Sequence, residues 1–194
     1  MEDTPLALLL ATLDDLPALR ELIPLSVRAL SREHYSEAQI ESALRHIFGP
    51  DTGLIEDGTY FVIEGRAALA AAGGWSRRDT LYGGDQARRA DERLLDPVTE
   101  PARIRAFYVH PDWARRGLGR RIVEACLAGA AAAGFHRVEL AATLPGVALY
   151  RACGFESHEA FVAPTLDGVG LPVVRMARDL DPLPVPPALR PAPR

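Results

Sequence analysis

Between Arg103 and Arg121 the chain reads Arg-Ile-Arg-Ala-Phe-Tyr-Val-His-Pro-Asp-Trp-Ala-Arg-Arg-Gly-Leu-Gly-Arg-Arg. A largely apolar run predicts a strand over residues 104–109, and His110-Pro111 ends it. A helix is predicted over residues 117–133, with Gly134 as its stop. A helix N-terminus presents unpaired N–H groups and the positive end of the backbone dipole. Gly117 and Gly119 remove side chains that would hold a phosphate away from those N–H groups. Arg115, Arg116, Arg120 and Arg121 surround the turn with charged donors. Together these features describe an anion site suited to a pyrophosphate.

Two familiar phosphate motifs fit poorly. A P-loop needs Gly-Lys-Ser/Thr, and Gly119-Arg120-Arg121 does not supply it. A dinucleotide fingerprint needs a third glycine, where Ile122 stands, although Glu139 lies at about the ~20-residue distance of the ribose-binding acid. Its strand should also run straight into the first glycine, whereas residues 110–116 intervene. Too little chain follows to complete a six-stranded dinucleotide sheet.

The remaining pattern alternates strands and helices. Residues 6–12 read as a short strand. Asp14 and Asp15 cap a helix that begins near Pro17, and Pro24 is expected to kink or interrupt it. Ser36, with Gln39 in the capping-box position, opens a second helix to about Phe48. Residues 60–64 and 67–75 form a hairpin, and residues 76–101 lack periodicity. After the glycine helix come a strand over residues 137–142, a short helix over 145–153 and a final hairpin of residues 155–162 and 172–180. Pairing of strands at both ends around a strand–helix–strand middle predicts an α/β (α+β) fold: a mixed sheet with helices on both faces. Residues 1–180 are read as a single domain. The tail 181–194 holds six prolines and is expected to be disordered.

Composition narrows the function. All 22 basic side chains are arginine, and the net charge is −4, so no basic field argues for nucleic acid or an anionic membrane. Cys126 and Cys153 sit in no metal spacing, and no metal is expected. Residues 1–10 lack the basic start of a secretory signal, and no apolar run approaches a membrane span. A cytoplasmic protein is expected.

Paired motifs carry a resemblance. Val109-His110-Pro111 followed by Ala114-Arg115-Arg116-Gly117-Leu118-Gly119 resembles the acyl-CoA-binding core of the GNAT superfamily, although Ala114 stands where Gln or Arg is usual. Downstream, Ala148-Leu149-Tyr150-Arg151-Ala152-Cys153-Gly154-Phe155 resembles that family's Ala-x-x-Tyr-x-x-x-Gly-Phe segment, and Thr143 occupies a position where many members carry Asn. The resemblance implies a mostly antiparallel, twisted sheet of about seven strands, splayed between the fourth and fifth. It further implies an acetyl-CoA-dependent N-acetyltransferase acting on an amine of a small molecule or peptide. A homodimer is left open. An acyl-CoA-binding module without catalysis is the alternative, and a dinucleotide-binding oxidoreductase a third.

By the same resemblance, Phe107, Tyr108 and Val109 line the splay and offer backbone groups to the pantetheine of acetyl-CoA. Residues Arg115, Arg116, Gly117, Leu118, Gly119, Arg120 and Arg121 hold its pyrophosphate. A backbone N–H near Val109 polarises the thioester carbonyl, and Tyr150 protonates the departing thiolate. Tyr35 and Trp75 are expected to line the acceptor pocket. The general base is open among Tyr108, His110, Glu100 just outside the strand, and water; the fourth strand carries Arg103 and Arg105 where many relatives place Glu.

Overall fold

Every residue of Leu69–Ser76 (β3), Leu-Ala-Ala-Ala-Gly-Gly-Trp-Ser, is buried. Side chains this small let helices approach both faces of one strand, so β3 sits at the centre of the molecule. The computed structural model describes residues 6–65, 68–87 and 91–180. The proline-rich tail and its expected disorder lie outside them.

Around β3 the chain lays down β1 (Leu8–Leu10), β2 (Tyr60–Glu64), β4 (Ala102–Val109), β5 (Arg137–Thr143), β6 (Glu156–Ala163) and β7 (Leu171–Asp179). They form one seven-stranded sheet in the order β1-β2-β3-β4-β5-β7-β6. Only β4 and β5 run parallel; every other pair is antiparallel. The expected mixed sheet is therefore present.

On one face lie α1 (Leu16–Ser31), α2 (Glu37–His46) and α3 (Thr52–Glu56). Pro24 does not interrupt α1, which runs unbroken for 16 residues; the expected break is corrected. A proline costs a helix one hydrogen bond, and α1 offsets this by burying Leu19, Leu22, Ile23 and Val27 against the sheet. Ser36 caps α2 as expected, accepting from Gln39 N–H at 3.2 Å while Gln39 Oε1 accepts from Ser36 N–H at 3.1 Å. The short α3, unforeseen from periodicity, is capped by Asp51, whose carboxylate accepts from Leu54 N–H at 3.1 Å.

The opposite face carries α4 (Leu118–Ala132) and α5 (Val147–Ala152). Ile122, Val123, Cys126 and Ala130 of α4 pack with Ile104, Val138, Leu140 and Met176 of the sheet.

Residues 77–87 and 91–101 hold one short helical turn, Asp85–Ala87, and are otherwise irregular but anchored. Arg105 of β4 is almost wholly enclosed; its Nε lies 2.9 Å from Asp51 and its Nη1 donates to Thr80 O at 2.8 Å. Glu92 approaches the same guanidinium at 3.4 Å. Arg78 grips Asp57 with two bonds of 2.8 and 2.9 Å. A buried arginine is tolerated only with this much compensation.

Candidate active site

The glycine turn is built from its start. Asp112 N–H donates to His110 Nδ1 at 3.2 Å, so His110 shapes the single turn Pro111–Trp113 that follows β4. Arg115 and Gly117 then adopt left-handed φ values of 64° and 80°. Ala114 N–H bonds Pro111 O and Arg121 N–H bonds Gly117 O, each at 3.1 Å. Among the described residues, no backbone N–H from Arg115 to Arg120 finds an acceptor within the protein. A run of free amides at the positive end of a 15-residue helix is an anion cradle.

The two glycines stand in different surroundings. A Cβ on Gly117 would meet nothing within 4 Å, so this residue faces open space. One on Gly119 would stand 2.9 Å from Leu149 Cδ2. Gly119 thus lets α4 pack closely on α5. The arginines also divide: Arg116 stacks over Trp113 at 4.9 Å, and Arg121 Nη1 donates to Leu6 O at 2.6 Å. Arg115 and Arg120 are exposed.

Beside this turn the sheet opens. β4 and β5 pair only at Ala102↔Val138 and Arg103↔Glu139, whereas β5 continues along β7 as far as Thr143↔Val173. A β-bulge produces the divergence. The register against β3 jumps from Gly74↔Arg105 to Ala72↔Tyr108, and Ala106 turns left-handed at φ 59°. Tyr60, fully buried, donates its hydroxyl to Ala106 O at 3.0 Å.

The bulge sorts the three strand residues. Phe107 and Val109 pack with the α4 cluster. The Tyr108 side chain lies on the other face, edge-on to Phe48 with centroids 6.2 Å apart and its phenol beside the Gly49 backbone. Burial pushes that phenol's pKa up. The Val109 N–H donates to Ser26 Oγ of α1 at 3.0 Å, a partner absent from the sequence expectation.

Tyr150 of α5 is 7 % exposed. Its ring stands edge-on between Phe107, with centroids 6.0 Å apart, and Phe155, at 5.7 Å. The ring thereby connects α5 to the bulged stretch of β4. Burial, the largest cause, raises its pKa above the usual tyrosine range.

Tyr35 and Trp75 do not converge. Tyr35 donates to Pro172 O at 2.6 Å and accepts from Leu144 N–H at 2.8 Å, bracing the link after α1 against β7 and the end of β5. Trp75 lies under α4, against Phe135 and close over Gly129. The two residues belong to separate cores on opposite faces of the sheet.

Each residue offered as a base has another task. Glu100 is held at about 2, first by its hydrogen bond from Arg93. His110 shapes the turn, and Tyr108 is enclosed. Arg103 meets Glu139 of β5, which also receives Arg175 of β7 at 3.2 Å, and Arg175 reaches Glu159 of β6 at 3.7 Å. This ladder of alternating charges crosses four strands on the α1–α2 face. Tyr82 and Phe161 stand beside it with centroids 6.2 Å apart, and the Arg175 guanidinium lies over the Phe161 ring.

Sequence reasoning passed over Ser26, Tyr60, Tyr82, Phe161 and Arg175. For Ser26 a signal existed, since it is a polar residue on the apolar stripe of a helix.

A splayed parallel pair next to a free-amide helix start is the architecture that the motifs anticipated. The model of the Acetyltransferase (GNAT) family matches residues 25–155. The chain belongs to the GNAT acetyltransferase family. This GNAT domain resembles the GCN5-related N-acetyltransferase of Rhodopseudomonas palustris at a TM-score of 0.67 and 18% identity, over 93% of this chain and 99% of that one. A phosphinothricin acetyltransferase from Sinorhizobium meliloti, solved with acetyl-CoA, matches at TM-score 0.59 and 22% identity, over 90% and 88% of the two chains. The PaiA N-acetyltransferase of Thermoplasma acidophilum, solved with coenzyme A, matches at TM-score 0.59 and 14% identity, over 91% and 99%. Comparison with curated protein sequences produced no match. At these identities the likenesses establish the fold. Among the described residues, no helix is long and apolar enough to cross a membrane, and no group of three or more His, Cys, Asp or Glu is placed to hold a metal ion.

Proposed function

We propose that this GNAT domain is an N-acetyltransferase that takes acetyl-CoA as acyl donor and acylates the primary amine of a small molecule or peptide. The observation that carries the reading is the run of free amides from Arg115 to Arg120 beside the opening of β4 from β5. Arg115 and Arg120 would add charge to the pyrophosphate contacts, and Phe107 and Val109 would line the pantetheine. The amine lone pair forms the new C–N bond, the C–S bond breaks, the thiolate gains a proton, and the amine gives one up to solvent water, from which Tyr150 is later reprotonated. Tyr150 supplies the thiolate's proton. Its burial keeps it in the neutral, donating form at physiological pH. Holding both substrates in line accounts for most of the remaining rate.

Both cysteines are unpaired, which suits a reducing cytoplasm. The acceptor would enter from the α1–α2 face, where Tyr82, Phe161 and the charge ladder lie. The alternative of a CoA-ester sensor shares the cradle but has no use for the Tyr150 hydroxyl. Thiol release from acetyl-CoA across a panel of amines, alongside calorimetric titration with acetyl-CoA, tests the proposal. Tight binding without release on any amine favours the sensor, and absent binding overturns both readings.

A further inference from the structure

Ser26 lies on the buried stripe of α1 and is 4 % exposed. A hydroxyl at such a site is costly unless it is bonded. Its oxygen is satisfied, accepting the Val109 N–H at 3.0 Å. Its proton is not: among the described residues no acceptor for the Ser26 hydroxyl is found.

The position of Val109 gives this contact meaning. Val109 stands opposite Ala71, while the next residue, His110, bonds Ala70 O at 2.9 Å. In an antiparallel ladder that register turns both polar groups of Val109 away from β3. They face the side on which β5 has diverged. Ser26 therefore sits at the opening, on the amide that the family resemblance would bring to the thioester carbonyl.

We infer that Ser26 is a catalytic residue of this acyl transfer: its Oγ–H donates to the thioester carbonyl, and the Val109 N–H acts through it. The inference rests on the acetyl-transfer reading. An N–H donated to a hydroxyl oxygen strengthens that hydroxyl as a donor, and a serine rotor can turn its proton toward a new acceptor. As the amine forms the C–N bond, a carbonyl electron pair moves onto oxygen and is stabilised by the Ser26 proton. When the C–S bond breaks the pair returns to the carbonyl. Ser26 keeps its proton throughout, and the thiolate draws its own from Tyr150.

The test compares the full chain with Ser26→Ala, Ser26→Thr and Ser26→Cys, each checked for fold by circular dichroism. Alanine hands the bare Val109 N–H to the opening, so the two possible donors predict opposite results. If Ser26 donates, Ser26→Ala lowers kcat on the order of tenfold to hundredfold, leaves the acetyl-CoA Kd within about twofold, and Ser26→Thr restores much of the rate. If the Val109 amide donates directly, Ser26→Ala turns over as fast as wild type or faster, and the inference is overturned.

A second readout needs no acceptor. The carbonyl stretch of bound carbon-13-labelled acetyl-CoA, measured by isotope-edited infrared difference, should rise in Ser26→Ala and in the weakly donating Ser26→Cys. An equal frequency in wild type and in a variant that binds acetyl-CoA overturns the inference. Wild type that acylates no amine sinks the amine-transfer reading instead, and the infrared comparison still decides the role of Ser26.

Discussion

The hydroxyl of Tyr60 is bonded to the carbonyl of Ala106 across 3.0 Å, at the residue where β4 turns left-handed. The strand's irregularity is thus held from the neighbouring hairpin. Tyr60→Phe removes the donor and leaves a carbonyl in the interior unpaired, which costs about 1–3 kcal/mol. Ala106→Gly removes the side-chain penalty of a left-handed residue and gains about 1 kcal/mol. Urea denaturation of the two variants should move in opposite directions. Equal midpoints would mean that the bulge stores no strain and needs no brace.

Gly117 and Gly119 should respond differently to substitution. Gly117→Ala meets open space but must hold φ 80°, so it weakens acetyl-CoA binding and costs about 1–2 kcal/mol of stability. Gly119→Val drives into Leu149 and loses about 1–3 kcal/mol through overpacking. Adding Leu149→Ala to Gly119→Val should recover part of that loss, as melting temperatures would reveal. Additive losses would contradict the packing role.

Tyr150→Phe keeps the ring between Phe107 and Phe155 and removes only the hydroxyl. We expect acetyl-CoA affinity to hold and kcat to fall tenfold to hundredfold, at or below the low end of the ~10²–10⁴ range for general acids because a thiolate leaves readily. Wild-type turnover under conditions where chemistry limits the rate would remove the assignment. Equal losses of affinity and rate would make the residue a packing group.

Alkaline stability follows from burial. Desolvation raises the pKa values of Tyr35, Tyr60, Tyr108 and Tyr150 above their unfolded value near ~10. The unfolded chain therefore releases these protons first. Their contribution is complete below pH ~10 and is lost as pH rises beyond it. Burial raises the pKa of the Cys126 and Cys153 thiols as well, so guanidinium midpoints should begin to decline near pH ~8.5 and drop steeply beyond pH ~10. Tyr60→Phe should soften the drop, and a flat profile to pH ~11 would contradict the burial effect.

The motifs at Val109–Gly119 and Tyr150–Phe155 were legible because backbone demands restrict the residues allowed there. A proline stops a strand, and Gly117 supplies a positive φ. The capping box at Ser36 and Gln39 was readable for the same local reason. Pro24 misled, since the local rule was outweighed by the apolar stripe that α1 buries. Trp75 and Tyr35 are both aromatic, and only the completed sheet assigns them to opposite faces. Ser26, Tyr60 and Arg175 act across long sequence separations, where no spacing rule links them to Val109, Ala106 and Glu139.

Arg105 leaves β4 just before the bulge and holds Asp51, Glu92 and the carbonyl of Thr80. The strand that would shape the acyl-donor opening in the proposed reading is also the mooring for residues 77–87 and 91–101, which bring Tyr82 to the α1–α2 face. Under the proposed function, rate and recognition would share one foundation. A small slide of β4 would retune both at once, whereas changes in the outer part of the segment could vary the choice of acceptor and leave the chemistry standing.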